Sequence, residues 1–148
     1  MPLLDILTIA SLELLVRTEF AVSAFVNPVV RKLEDRAQGR AIALFAARLG
    51  RFMPFWYALN LLLLIFEIVT RWHEAELSLL IVTGSIWVVV ILFTVVFLAS
   101  ITNRIARMSP DPFSKTARRE HKKWDALHRL RVLAVGVALI CFLLGTRR

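Results

Sequence analysis

The chain has one cysteine, one tyrosine, three histidines, five glycines and five prolines in 148 residues. A lone cysteine, Cys141, excludes a disulfide scaffold and any cysteine-based metal site; lying in an apolar run, it is expected to serve as packing or lipid-facing filler. So few glycines and prolines exclude collagen-like and linker-rich chains, and with only 20% charged residues the chain is not intrinsically disordered. No GxGxxG, P-loop, HExxH, GxSxG or CxxC occurs, so nucleotide-binding, zinc-protease and dithiol chemistry have no foothold. Acids are scarce too, 11 against 19 Lys and Arg, for a net charge of +8. In a hydrophobic chain that balance points to loops against anionic membrane lipids and not to nucleic acid.

What is abundant is apolar: 58% of residues are hydrophobic, where a soluble domain averages about 45–50%. At about 20 residues per membrane-crossing helix, this suffices for four. The apolar runs place the spans near residues 3–30, 52–70, 77–101 and 124–145 of a single domain covering 1–148. The first span carries Glu13, Arg17 and Glu19 and is therefore expected inside a bundle. Its leading residues, Met1-Pro2-Leu3-Leu4-Asp5, lack the basic region of a cleaved signal, so it is expected to be retained as a membrane helix. Residues 33–51 read as a helical prelude to span two, at the interface or extending it. Ser109-Pro110-Asp111-Pro112 separates spans three and four. Thirteen Lys and Arg fall in the two long loops, against Arg71, Arg147 and Arg148 on the other side. Positive loops resist translocation. The expectation is an all-α antiparallel four-transmembrane-helix bundle in a bacterial inner membrane, basic loops cytoplasmic and both termini outside.

Ionisable groups within spans pair with one another and face a cavity. Glu13 and Arg17 are four residues apart and can neutralise each other. Glu19, about 16 Å from Val30 at 1.5 Å per residue, points elsewhere and needs Arg131 or His128. On span four, His121, Trp124, Asp125, His128 and Arg131 recur at spacings of three and four and share one helical arc, whereas Lys122, Lys123 and Arg129 lie off it. Glu19, Arg48, Trp56, Asn103, Trp124, His128 and Arg131 thus gather in the cytoplasmic half. The outer half is expected to be nearly all aliphatic apart from Glu67, with Arg71, Trp72, His73 and Glu74 in its loop. The Glu19 pair reads either as a fold-fixing ion pair or as part of a ligand pocket. His121 and His128 are about 10 Å apart along the helix, too far to share one metal ion, and His73 is across the membrane. A bis-His haem and a metal site are therefore not expected, though His128 completed by Glu19 stays open. Trp87, Phe93 and Phe97 read as packing, and no cofactor is indicated.

Phe25-Val26-Asn27-Pro28, Asn103-Arg104-Ile105, and Trp124 with His128-Arg129-Leu130-Arg131 together resemble the small four-span anthrone oxygenase-like membrane proteins. The resemblance implies oxygenation of an activated polycyclic phenol, an anthrone becoming an anthraquinone. For such a reaction the residues gathered in the cytoplasmic half offer roles: His128 is expected to take the acidic ring proton, Asn103 and Arg131 to stabilise the enolate with Glu19 nearby, and Trp56, Trp124 and Arg48 to contact the ring. The leading expectation is nevertheless a non-enzymatic accessory subunit of a larger membrane complex or homo-oligomer, or a module binding a lipid, quinone or other hydrophobic aromatic ligand. The oxygenase is the alternative.

Overall fold

The computed structural model describes residues 3–75, 77–106 and 114–146, and every regular element among them is a helix. Helix α1 (Leu3–Ala21) continues through a π-helical turn (Val22–Val26) into the short α2 (Asn27–Val30). Pro28 explains the turn: it has no N–H for the carbonyl of Ala24, so the ordinary four-residue ladder cannot run through it. Helix α3 (Asp35–Thr70) is followed by α4 (Leu77–Phe93), a second π turn (Thr94–Leu98) and α5 (Ala99–Ala106). At this second turn the Thr94 hydroxyl donates to the carbonyl of Val90 at 2.7 Å, a back-bond that competes with the backbone ladder. The last helix, α6 (Lys115–Gly145), starts at Ser114, whose hydroxyl accepts the N–H of Ala117 at 3.1 Å. The Ser109-Pro110-Asp111-Pro112 break lies outside the described residues.

The expected prelude and the second span are one uninterrupted 36-residue helix, α3. Pro54 does not end it, although its ring deprives the Gly50 carbonyl of a helical donor. Among the described residues, three helical stretches are long and apolar enough to cross a membrane: Asp35–Thr70, Leu77–Ile105 and Lys115–Gly145. Helix α1, with Asp5, Glu13, Arg17 and Glu19 along it, is the fourth long helix and is not among them. Large apolar side chains such as Leu14, Phe55, Val89 and Leu133 cover the outside.

Contacts run α1 to α3, α3 to α4, α4 to α6 and α6 back to α1. Asp5 at the start of α1 pairs with Arg71 at the end of α3, and Gly145 at the end of α6 lies beside Leu79 and Leu80 at the start of α4. Neighbouring helices are therefore antiparallel, and the two described chain ends share one end of the molecule. Gly145 permits the α4–α6 approach, because a Cβ there would sit 3.1 Å from the Leu79 Cβ. The main core joins Leu12 and Leu15, Tyr57 and Leu64, Leu80 and Trp87, and Val135, Ala138 and Phe142, one set from each long helix. A smaller cluster of Val30, Ile42, Ile101, Ile105 and Ala117 closes the opposite end. Trp87 is packing as expected, its indole N–H donating to the Tyr57 carbonyl at 3.1 Å.

Candidate functional site

Between the two clusters lies a cavity of about 450 Å³, walled mostly by Val, Ile, Leu, Ala and Phe side chains. Both π turns border it through Val22, Val26, Thr94, Val95 and Leu98. A π turn adds a residue to one helical turn and pushes the wall outward, which is why such turns recur at binding sites.

The polar end of the cavity belongs to the α6 arc. His121, Asp125, His128 and Arg131 are all buried, and Trp124 is half-buried. Asp125 accepts from Asn27 Nδ2 at 2.7 Å and from Arg129 at 3.1 Å, with Arg31 at 3.3 Å, and so anchors α2 to α6. Glu19 comes in from α1. Arg131 Nη2 donates to Glu19 Oε2 at 2.6 Å and to His128 Nδ1 at 3.0 Å, while Nη1 reaches the Thr94 hydroxyl at 3.4 Å. His128 Nε2 lies 3.2 Å from the backbone carbonyl of Glu19. A carbonyl only accepts, so Nε2 carries the proton and Nδ1 is the lone-pair nitrogen, 3.2 Å from Glu19 Oε2. Trp124 stacks on the imidazole at 4.7 Å between centroids. Glu19 thus has both of the partners named for it. Glu13 and Arg17 pair at 3.0 Å on the exposed face of α1.

Four other expected site residues are placed differently from the cluster or from one another. Trp124 lines the cavity beside His128, and Asn103 lines it from α5 but is exposed. Arg48 is exposed, stacked over the Phe52 ring at 5.9 Å, and Trp56 turns toward α1, where its indole N–H donates to Ser11 Oγ at 3.2 Å. Neither lines the cavity. The reason is helical phase: at 100° per residue, Trp56 is a quarter turn and Arg48 a half turn from Tyr57, which does face it. Tyr57 and Thr94 are wall residues that sequence reasoning missed, while Asn27, quoted within Phe25-Val26-Asn27-Pro28, was given no role in the site. For Tyr57 the available signal was a single tyrosine within an apolar run.

Tyr57 is 4% exposed, and its hydroxyl has the Glu19 carboxylate as a neighbouring acceptor, without a formed hydrogen bond to it among the described residues. The Arg131 guanidinium lies 5.5 Å from its ring centre. Arg131 Nε and His121 Nε2 are likewise buried without a hydrogen-bond partner among the described residues. All three belong to cavity walls. Buried polar atoms are ordinarily satisfied, so these three are available to a guest. Among the described residues no three His, Cys, Asp or Glu side chains converge as a metal-ligand set.

The opposite end is not the aliphatic region expected. Arg71, foreseen in a loop, is buried and donates to Asp5, with Nε 3.4 Å from Glu67 Oε2. Sequence inspection passed over Asp5, which lies 66 residues from its partner. Because Asp5 neutralises Arg71 without help, Glu67→Gln is expected to shift stability by no more than about 1 kcal/mol. A denaturation series compared with Asp5→Asn, the costlier change, checks it.

The model of the family described as Anthrone oxygenase matches residues 41–141, more than half of the chain. The chain belongs to the anthrone oxygenase family. Tyr57, Thr94, Asn103, Trp124, His128 and Arg131 fall within the segment matched to that family, and Glu19 and Asn27 lie before it. No curated protein and no solved structure matches the chain.

Proposed function

We propose that this is an integral membrane protein whose four long helices all cross the bilayer, and that its cavity binds and oxygenates a flat, lipophilic phenolic ring. The observation that carries the reading is an apolar cavity of about 450 Å³ ending in the buried Glu19, His128 and Arg131 group. That is a size and polarity typical of small-molecule sites, about 300–1,000 Å³, and it supports a ligand-binding role. Membership of the anthrone oxygenase family supports oxygenation as the reaction class. α1 crosses despite its charges because Asp5 and Glu19 are neutralised within the molecule.

The chemistry follows from the protonation pattern. An anthrone carries an acidic C–H between two aromatic rings, and His128 Nδ1 takes that proton. The resulting imidazolium is held at both nitrogens by Glu19, Nε2–H on its carbonyl and Nδ1–H on its carboxylate. Arg131 leaves Nδ1 and turns a guanidinium N–H to the ring enolate, whose charge it stabilises. The enolate passes one electron to dioxygen, the radical pair joins as a carbon-bound peroxide anion, and the imidazolium returns its proton to give the hydroperoxide and restore neutral His128. Loss of water leaves the quinone carbonyl. One oxygen atom stays in the product and one leaves as water, so dioxygen alone balances the oxidation. In the nearest experiment, nanodisc-embedded protein receives anthrone under ¹⁸O₂, and anthraquinone bearing one ¹⁸O is expected. No turnover together with a stoichiometric co-purifying partner would return the protein to the accessory class.

The basic loops are proposed to face the cytoplasm, on the thirteen-to-three distribution of Lys and Arg. With Cys141 replaced by alanine, a cysteine at Glu74 is expected to react with an impermeant maleimide added outside, and one at Lys115 is not. Labelling of the Lys115 position from outside overturns this orientation.

A further inference from the structure

The cavity is open on one flank, and its position says where a guest comes from. On α3 the cavity wall includes Ala46, Gly50, Pro54 and Ala58, four small residues spaced four apart and hence stacked on one face. Phe45, Gly50, Pro54 and Ala58 are exposed as well as cavity-lining, and so are Val95 on the facing π turn and Asn103 further along α5, with half-buried Ala99 between them. A side chain that both lines a cavity and meets the outside marks its mouth. A Cβ built on Gly50 meets nothing within 4 Å, so the gap is open space.

The surroundings of this mouth are apolar. Phe52 and Phe55 on one side and Val96 and Phe97 on the other are exposed, and no membrane protein leaves such a rim in water. Exposed Arg48 and Arg51 flank Gly50 and suit the phosphate level, with their stems along the apolar surface. The opening therefore sits at the boundary of headgroups and acyl chains, where amphipathic rings concentrate. Behind the small-residue stripe lies the buried hydroxyl of Tyr57, beside the Glu19 carboxylate and without a formed hydrogen bond among the described residues.

We propose that the cavity is loaded sideways from the bilayer through this opening between α3 and the Thr94–Ala99 stretch, and that the Tyr57 hydroxyl recognises the ring oxygen of the incoming guest. The inference rests on the ring-binding reading above only for the identity of the guest. A flat ring slides past Gly50 and Ala58 edge-on, and a bulkier residue there closes the slot without touching the Glu19, His128 and Arg131 group.

The test uses the whole protein in nanodiscs without oxygen, so that anthrone binds unchanged, followed through quenching of tryptophan fluorescence at Trp124. Gly50→Leu is expected to slow anthrone association about tenfold or more with an unchanged or higher melting temperature, since leucine favours helix and fills open space. Ala58→Leu, two turns along the same mouth, is expected to do likewise. Tyr57→Phe is expected to keep the association rate and weaken equilibrium binding about five- to tenfold, the worth of one hydrogen bond. If anthrone binds equally fast to wild type and both leucine variants, lateral loading is wrong while ring binding stands. If wild type binds no anthrone, the ring-binding reading falls, and a phospholipid with a diazirine in its acyl chain decides the opening on its own. Photolabelling of Tyr57 in wild type but not in Gly50→Leu then upholds it, and absence of label on Tyr57 in wild type overturns it.

Discussion

His128→Ala is expected to lower anthrone turnover by about 10²–10⁴-fold, the usual cost of removing a general base, while anaerobic ring binding stays within a few-fold of wild type. The asymmetry arises because the apolar walls and the Tyr57 hydroxyl hold the ring, whereas the proton transfer is assigned to the His128 lone pair beside Glu19 and Arg131. His128 is buried and touches Glu19 at both nitrogens, so a control for folding is needed. His128→Gln retains donor and acceptor capacity and is expected to melt like wild type yet turn over as slowly as the alanine variant. If the glutamine variant keeps full activity, His128 is only a strut between α1 and α6. A loss of turnover that tracks the loss of melting temperature across both variants says the same.

The second large effect is on stability. Glu19→Gln leaves Arg131 buried with its charge uncompensated, at an expected cost of about 3–5 kcal/mol. The remaining partners of Arg131 are the imidazole, the Thr94 hydroxyl at 3.4 Å and the face of Tyr57, none of them anionic. Replacing both members by apolar residues, Glu19→Leu with Arg131→Met, is expected to recover much of the loss, because the desolvation cost of both charges disappears with them. A double-mutant cycle read by denaturation in one detergent isolates the coupling. Additive single and double changes mean that the 2.6 Å contact holds no net energy. Asp125→Asn serves as a contrast: it weakens the tie from Asn27 and Arg31 to α6 without disturbing the Glu19 contacts.

Much of this arrangement was legible in local spacing. Composition and apolar run length determine an all-helical chain with membrane-length helices, since those properties depend only on which residues are neighbours in sequence. The α6 arc of His121, Trp124, Asp125, His128 and Arg131 was readable for the same reason: three- and four-residue spacing places side chains on one face whatever the helix packs against. Glu13 with Arg17 is equally local. The partner of Glu19 could be inferred by charge balance, because a buried carboxylate needs a cation and few lie at its depth. What tertiary packing alone decided is the rotation of each helix about its own axis and the pairing of residues far apart in the chain. On α3 that rotation turned Tyr57 and Gly50 to the cavity and sent Trp56 to Ser11 and Arg48 outward, a choice among faces 100° apart that an apolar helix does not encode by itself. Asp5 met Arg71 across 66 residues only because α1 and α3 lie antiparallel. The cavity depends on two π turns, one set by Pro28 and one at Thr94, facing each other across the molecule. Pocket shape is a property of several helices at once, and no single stretch of sequence carries it.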